Sequence, residues 1–187
     1  GVGIGKTIEE AWDKAYEADP VSIFGGIVAF NEPIHASVAE KLSKIFLEII
    51  IAPAFDEDAF EILSKKKNIR LMQLDTSLEV NAKYKVTNVN DGLLVQDIDD
   101  HKITAEDLRC VTNRKPTEEE LEQLLFAWKV VKHVKSNAIV LVKDNMTIGV
   151  GAGQMNRVGA AKIAIEQAGE KAKGSIMSSD AFFPMPD

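Results

Sequence analysis

KHVKSNAIVLVKDNMTIGVGAGQMNR, residues 132–157, has the clearest structural pattern in the chain. Two apolar runs within it, residues 138–142 and 146–150, have the length and the β-branched content of buried strands. Between them lie Asp144 and Asn145, which favour a tight turn because both residues tolerate left-handed backbone angles. After the glycines of residues 149–153, apolar residues are spaced as in a helix. The stretch therefore predicts two adjacent strands and then a helix.

The first 75 residues alternate predicted helices with predicted strands. Helices are indicated by apolar residues at helical spacing, the first of them after the capping sequence Thr7-Ile8-Glu9-Glu10. Strands are indicated by short apolar runs bounded by Gly or Pro. Such alternation is typical of an α/β layer. The predicted strands are residues 27–30, 49–52 and 69–74, and the predicted helices are residues 8–18, 38–49 and 56–67.

A different pattern separates this first unit from the rest of the chain. Residues 83–97 have extended character around an Asp-Gly pair, which predicts a β-hairpin, and residues 101–113 are polar and mixed. A second capping sequence then opens a long amphipathic helix. We therefore predict an α/β protein of two αβα units with mixed sheets. The first unit is residues 1–104, truncated at its N-terminus, and the second is residues 105–187, truncated at its C-terminus.

Charge limits the class of partner. The formal net charge is −7, from 22 basic and 29 acidic residues. This balance argues against nucleic acid as the main partner, because phosphate binding needs clustered Lys and Arg. Residues 129–173 nevertheless contain eight basic and three acidic residues. A local basic region suits a small anionic ligand, although ordinary variation of surface charge explains it equally well.

The sequence also limits metal chemistry and location. Cys110 is the single cysteine, so a disulfide within the chain and a cysteine-based zinc site are excluded. The three histidines, His35, His101 and His133, are far apart and form no metal-binding spacing. Without a signal peptide or an apolar run near the ~20 residues of a membrane span, we expect a cytoplasmic protein with no membrane partner. Because helical sequence follows almost directly after Gly1, we expect the chain to be part of a larger protein.

Three groups of residues are candidates for a binding site. Asn137 stands beside an apolar run, where its amide either binds a ligand or caps the preceding helix. The glycines of residues 149–153, with Arg157, either hold an anion at a helix N-terminus or allow a strand to pack tightly on a helix. The stretch Phe182-Phe183-Pro184 forms either a wall on which a heterocycle stacks or an apolar anchor.

Six blocks of sequence together resemble one enzyme family. No block is decisive alone, but they follow one another in order over essentially the whole chain. They are DPVSIFGGIVAFN (residues 19–31), IIAP (50–53), ILSKKKN (62–68), VKSN (134–137), IGVGAGQMNR (148–157) and SSDAFFP (178–184). They resemble the transformylase part of the bacterial AICAR transformylase/IMP cyclohydrolase family of bifunctional purine biosynthesis enzymes. The resemblance implies that the chain is an internal fragment and that both units have a cytidine-deaminase-like fold. The zinc signature of true deaminases is absent, which argues against deamination.

This resemblance implies a formyltransferase of IMP biosynthesis. The formyl group of the co-substrate 10-formyltetrahydrofolate would pass to the 5-amine of AICAR ribotide. Family members use a Lys-His pair in a K-H-x-N-P-C-G type motif, and we expect that pair just upstream of Gly1. The fragment alone is therefore expected to be inactive. Family members form homodimers whose active sites are built across the interface, so we expect a homodimer here.

By position, the resemblance assigns Asn137 as a catalytic and substrate-binding residue. It also implies further contacts to AICAR ribotide or to the folate. Those positions are Arg157, Asn156, Phe182, Pro184, Asp187, Phe24, Val21 and Glu48. Ser136 and Asp180 would supply oxygen ligands to a monovalent cation such as potassium.

Two alternatives belong to other classes. The first is a non-catalytic small-molecule-binding or interaction domain that uses the same pocket. The second is a P-loop nucleotidase, suggested by GVGIGKT at residues 1–7. The P-loop pattern requires another glycine and a preceding strand, and this chain contains neither ahead of the motif. A turn that leads into a capped helix explains the same residues.

Overall fold

The first unit is a parallel sheet combined with helices. The computed structural model describes residues 1–75 and 82–185 of the chain. Neighbouring strands run parallel, as expected for strands that are joined through helices. The strands, in spatial order, are β1 (Gly26–Ala29), β2 (Leu47–Ala52) and β3 (Arg70–Gln73), and the helices are α1 (Ile8–Ala18), α2 (Ala36–Leu42) and α3 (Glu57–Ser64).

Burial of apolar side chains explains where these elements begin and end. β2 is the central strand, and Leu47, Ile50 and Ala52 of β2 are fully buried. The prediction of a helix that continues to residue 49 is wrong, because α2 ends at Leu42. Residues from Leu47 onward pair with strands on both sides. That pairing buries their apolar side chains on two faces, which a further helical turn could not do.

The hairpin predicted around Asp91 and Gly92 is confirmed. β4 (Tyr84–Val89) and β5 (Gly92–Asp97) pair in antiparallel register. Asn90 in the turn has a positive φ of 37°. This ribbon is a two-stranded sheet of its own and does not extend the first sheet. Every residue of both strands is exposed.

The second unit is built on an antiparallel sheet of spatial order β7-β6-β8. Its elements are α4 (Glu118–Val131), β6 (Ile139–Lys143), β7 (Met146–Gly151), α5 (Arg157–Ala168) and β8 (Ile176–Ser179). The predicted turn between β6 and β7 is confirmed, since Asp144 and Asn145 have φ values of 52° and 61°. Short 3-10 turns occur at Ala105–Asp107 and Gly169–Ala172. The sequence patterns did not predict β8.

Helices cover both faces of β6, the central strand of this sheet. On one face, Phe126 and Val131 of α4 pack in a cluster with Val140. On the other face, Ala160 and Ala164 of α5 pack against the sheet. The α/β class is therefore confirmed. The prediction of mixed sheets is wrong for the described residues, because each three-stranded sheet is either wholly parallel or wholly antiparallel. Within residues 1–75 and 82–185, no helix is long and apolar enough to cross a membrane.

Two glycines determine how closely α5 approaches β7. A β-carbon added at Gly149 would overlap the carbonyl oxygen of Ala164, and one added at Gly151 would overlap that of Ala160. Only glycine, which has no side chain, permits this approach. Of the two explanations for the glycines of residues 149–153, packing of a strand on a helix is thus confirmed for these two.

The opening residues of the chain repeat this arrangement. A β-carbon added at Gly1 would overlap the carbonyl oxygen of Ala15, and one added at Gly3 would lie 2.8 Å from that of Ala11. The similar sequences GVGIG and GVGAG therefore both pack against alanines of a helix. Gly3 also forms an antiparallel bridge to Met146 of β7. These contacts account for the glycines of GVGIGKT without a phosphate ligand.

We predict that Gly151→Ala destabilises the chain by about 3 kcal/mol, because the new methyl group forces α5 away from the sheet. Urea unfolding followed by circular dichroism measures the change. Gly92→Ala is the matched control, since its added β-carbon meets only the Val89 carbonyl oxygen, at 3.8 Å. We expect the control to change stability by less than about 0.5 kcal/mol. Equal losses in the two variants would contradict the packing argument.

Candidate functional site

Asn137, Arg157 and Asp180 form one polar cluster. The Nη2 of Arg157 donates a hydrogen bond to Asn137 Oδ1 at 2.8 Å, and its Nη1 donates to Ser179 Oγ at 3.0 Å. The same Nη1 forms an ion pair with Asp180 Oδ1. The side chains of Arg157 and Asp180 are only 11% and 18% exposed. The structure thus brings together an amide, a guanidinium and a carboxylate that lie far apart in sequence.

The ends of three strands position this cluster. Asn137 precedes β6, and its backbone exchanges hydrogen bonds with Gln154, which follows β7, at 3.2 and 3.4 Å. Asp180 follows β8, and its N–H donates to the Ala138 carbonyl oxygen at 3.3 Å. Arg157 is the first residue of α5. The cluster therefore lies where one edge of the sheet meets the N-terminus of a helix.

The surroundings of Asp180 favour the ionised form of its carboxylate. Burial raises the pKa of Asp180, but hydrogen bonds from Ser136, from the Ala138 N–H and from Arg157 outweigh burial and lower the pKa to about 2. The Ala138 N–H donates to Asp180 Oδ1 at 2.9 Å. At neutral pH this carboxylate therefore balances the charge of the Arg157 guanidinium inside the cluster.

The Asn137 amide is held in one orientation by its neighbours. Its Oδ1 accepts from Arg157, and its Nδ2 donates to the Gln154 carbonyl oxygen at 2.8 Å. An amide has two N–H groups and two oxygen lone pairs. One donor and one acceptor site of Asn137 thus stay available to a ligand, and the side chain is half-buried. The sequence left two explanations for the Asn137 amide, ligand binding and capping of the preceding helix. The contacts seen here are not those of a helix cap.

Ser136 and Asp180, the predicted cation ligands, both line a cavity beside the cluster. Its volume is about 380 Å³, and Trp128 and Lys132 also line it. Asp180 Oδ1 already accepts from Arg157 and from the Ala138 N–H. A cation at this place would therefore compete with a guanidinium for the same carboxylate. The described part of the chain contains no group of three His, Cys, Asp or Glu side chains that could hold a metal ion.

The remaining predicted residues of the second unit lie around the cluster or beyond it. Asn156 caps α5, with its Oδ1 accepting from the Gly159 N–H at 2.7 Å. Phe182 and Pro184 are exposed and do not line the cavity at Asp180. The expected apolar wall is therefore not closed over the cluster. Asp187 lies outside the described residues.

The predicted residues of the first unit do not join the cluster. Val21 and Phe24 are 81% and 74% exposed in the segment before β1, and the Phe24 ring lies 5.1 Å from that of Phe46. Glu48 is exposed on β2. None of these three residues lines the cavity at Asp180. The cavity beside the cluster is therefore formed without these three residues.

Two polar groups of the structure were not singled out by sequence reasoning. Ser179 takes part in the cluster through its hydroxyl, and the only sequence signal was its position beside Asp180. His35 and Asp56 form a second pair, with His35 Nδ1 2.6 Å from Asp56 Oδ2. The hydrogen bond to Asp56 raises the pKa of His35. This pair is exposed and joins the starts of α2 and α3, which gives it a structural explanation.

The fold and the cluster define an α/β protein with a polar site at the strand ends of its second unit. A family model described as "AICARFT/IMPCHase bienzyme" matches residues 1–167. The chain belongs to this family, as the resemblance predicts.

Close relatives support the same assignment. Over its whole length the chain is 65% identical to the bifunctional purine biosynthesis protein PurH of Anoxybacillus flavithermus. It is 62% identical to PurH of Bacillus subtilis and 59% identical to PurH of Oceanobacillus iheyensis, again over all 187 residues. The chain spans 36–37% of the length of these relatives.

We predict that Asp180→Asn lowers the free energy of unfolding at neutral pH by about 1.5–3 kcal/mol, because Arg157 loses its charged partner. The pKa of Asp180 is lowered in the folded state, so its contribution is present above the unfolded-state pKa, near 4, and is lost as pH falls towards about 2. Urea unfolding at pH 7, 4 and 2.5 measures this. The gap between wild type and variant should narrow across that range.

Glu170→Gln is the control for this prediction. Glu170 forms an ion pair with Lys173, but both side chains are at least 80% exposed, so little change is expected at any pH. A gap between wild type and Asp180→Asn that stayed constant down to pH 2.5 would contradict the assignment of the charge.

Proposed function

We propose that the chain is part of the formyl-transfer unit of a bifunctional purine biosynthesis enzyme. The reaction would transfer the formyl group of 10-formyltetrahydrofolate to the 5-amine of AICAR ribotide. Support comes from the family model that matches residues 1–167 and from relatives that are named as bifunctional purine biosynthesis proteins. The observation that carries the proposal is the Asn137 amide, which is held by Arg157 at 2.8 Å and keeps hydrogen-bonding capacity for a ligand.

The proposed step requires a poor nucleophile to be oriented. The amine nitrogen forms a bond to the formyl carbon, and the bond from that carbon to N10 of the folate breaks. The amine loses a proton, and N10 gains one. The ring and the carboxamide of AICAR ribotide withdraw the amine lone pair, so positioning and proton removal both matter. In this proposal the Asn137 oxygen accepts a hydrogen bond from the amine and directs its lone pair towards the formyl carbon.

In this proposal Arg157 does not bind the substrate directly. Its guanidinium is already engaged by Asn137, Ser179 and Asp180. It would therefore act as a positioning residue that holds the Asn137 amide. Asn156 caps the same helix and would keep Arg157 in place.

Folate contacts are proposed at Val21 and Phe24, whose exposed apolar side chains suit a flat heterocycle. Phe182 and Pro184 would contact AICAR ribotide, and Glu48 and Asp187 would complete the surroundings of the two substrates. These residues do not all line one cavity of a single copy, so the proposal places the complete site between two copies of the chain. A potassium ion would use Ser136 and the second carboxylate oxygen of Asp180. The proton transfer is assigned to groups outside the polar cluster.

A non-catalytic binding domain is the second candidate. The specific observation in its favour is that the charges of Arg157 and Asp180 neutralise each other within the cluster. The cluster itself contains no group with the free proton-transfer capacity that general acid–base catalysis requires. Because the formyl-transfer proposal also expects this fragment to be inactive alone, the result that would support this candidate is binding of AICAR ribotide without formyl transfer by the longer protein.

We predict that Asn137→Ala weakens binding of AICAR ribotide to this chain about tenfold, because it removes hydrogen bonds to a neutral ligand group. Isothermal titration calorimetry measures the affinity. Asn113→Ala, at an exposed position in the segment before α4, should bind as tightly as wild type. Addition of 10-formyltetrahydrofolate to the complex, followed by the absorbance of the folate, then checks the expectation that this fragment alone transfers no formyl group. Equal affinities of the two variants would contradict the assigned role of Asn137.

A further inference from the structure

A second cavity of the chain lies between α4, β8 and the segment of residues 105–116 that precedes α4. Its volume is about 750 Å³, and sites for small molecules have volumes of about 300–1,000 Å³. None of Asn137, Arg157 and Asp180 lines it, although Ser179 does. We call it the α4 cavity. It is a different cavity from the one beside the polar cluster.

The wall of the α4 cavity is mainly apolar. Leu121, Leu124 and Leu125 of α4 line it together with Ile176 of β8. Other large apolar side chains of the wall are 43–83% exposed, and these are Leu108, Val111, Trp128 and Met177. Exposed apolar side chains that are grouped in this way mark an interaction site, whereas single ones are ordinary. A ligand with an apolar body would remove them from water, which is favourable.

Contacts within the chain hold the outer wall of the α4 cavity. The Thr112 hydroxyl donates a hydrogen bond to the Arg114 carbonyl oxygen at 2.7 Å, and the Cys110 thiol donates to the same oxygen at 3.6 Å. The Arg114 guanidinium donates to both carboxylate oxygens of Glu120 at 2.8 and 2.9 Å. The segment of residues 105–116 is thereby attached to the first turn of α4. A wall held by the chain's own contacts lowers the ordering cost of binding.

The charge of the α4 cavity is positive. Three charged side chains line it, and two of them, Arg114 and Glu120, form an ion pair. The third is Arg109, and no residue that the structure describes forms a hydrogen bond or an ion pair with its guanidinium. A planar guanidinium with free N–H groups suits the oxygens of an anion. The cavity is therefore electrostatically complementary to a ligand of negative charge.

We propose that the α4 cavity is a binding site for an aromatic organic anion. The ring system of the ligand would cover the exposed apolar wall and pack on Trp128, which offers a flat surface. The anionic group of the ligand would pair with Arg109. Both parts of the ligand are needed, because a neutral ring leaves the guanidinium unpaired and an inorganic anion leaves the apolar wall in water. The inference does not depend on the formyl-transfer chemistry proposed above.

Fluorescence titration of the 187-residue chain with anilinonaphthalene sulfonate tests this proposal. The probe joins an aromatic body to one sulfonate group, and phenylnaphthylamine is its uncharged analogue. Wild type should bind one sulfonate probe per chain and become saturated. Arg109→Gln should weaken binding of the sulfonate probe about tenfold, because a charge-assisted hydrogen bond is lost. The same variant should bind the uncharged analogue as tightly as wild type.

Lys102→Gln is the matched control. It removes the same charge from an exposed residue that also precedes α4 but does not line the α4 cavity. This variant should bind the sulfonate probe like wild type. Equal losses in the two variants, wild-type affinity in Arg109→Gln, or an equal loss of the uncharged analogue in Arg109→Gln overturns the proposal. Binding to wild type that never saturates overturns it as well.

Alkylation of Cys110 shows whether the probe occupies the α4 cavity. Cys110 lines this cavity and is the single thiol of the chain. A saturating concentration of the sulfonate probe should slow its reaction with iodoacetamide by about fivefold or more, because the bound ring covers the thiol. The same concentration should protect Cys110 much less in Arg109→Gln. An alkylation rate of wild type that the saturating probe does not change overturns the proposal.

Discussion

The close approach of α5 to β7 is the constraint on which the polar cluster depends. Gly149 and Gly151 allow the helix backbone to lie directly on the strand, where any side chain would overlap the carbonyl oxygens of Ala164 and Ala160. Arg157 begins this helix, one turn before Ala160. A helix displaced by the width of one methyl group would carry the guanidinium away from Asn137, to which it donates at 2.8 Å. Packing of small residues thus determines the geometry of charged ones.

The cluster has a second property that follows from its burial. A partly buried guanidinium is costly unless it is paired, and Asp180 supplies the partner with a pKa lowered to about 2. The same carboxylate accepts from the Ala138 N–H at 2.9 Å, so it also holds the segment after β8 against the start of β6. The only hydrogen-bonding capacity that stays unused on Asn137 is one donor and one acceptor site. The group of the cluster that keeps free hydrogen-bonding capacity is thus a neutral amide, whereas the two charged groups are engaged with each other.

Particular residues show how far sequence reasoning reaches here. Turns were predictable because Asp144-Asn145 and Asp91-Gly92 have strong local preferences, and the α/β class was predictable from short apolar runs between helical patterns. The end of α2 and the existence of β8 were not, because both depend on pairing with strands distant in sequence. Asn137 and Arg157 were recognised as candidates, but that they bond to each other and to Asp180 depends on the close approach of α5, which only the glycine contacts reveal.

The first and second units are also connected through the opening segment. The Thr147 N–H donates to the Val2 carbonyl oxygen at 2.9 Å, and the Ile4 N–H donates to that of Asn145, also at 2.9 Å. The glycines of the same segment pack on α1, so this segment is held by a helix on one side and by β7 on the other. β7 also packs against α5, so the opening segment connects α1 to the strand that lies beside the helix of Arg157. All side chains of the polar cluster nevertheless come from the second unit.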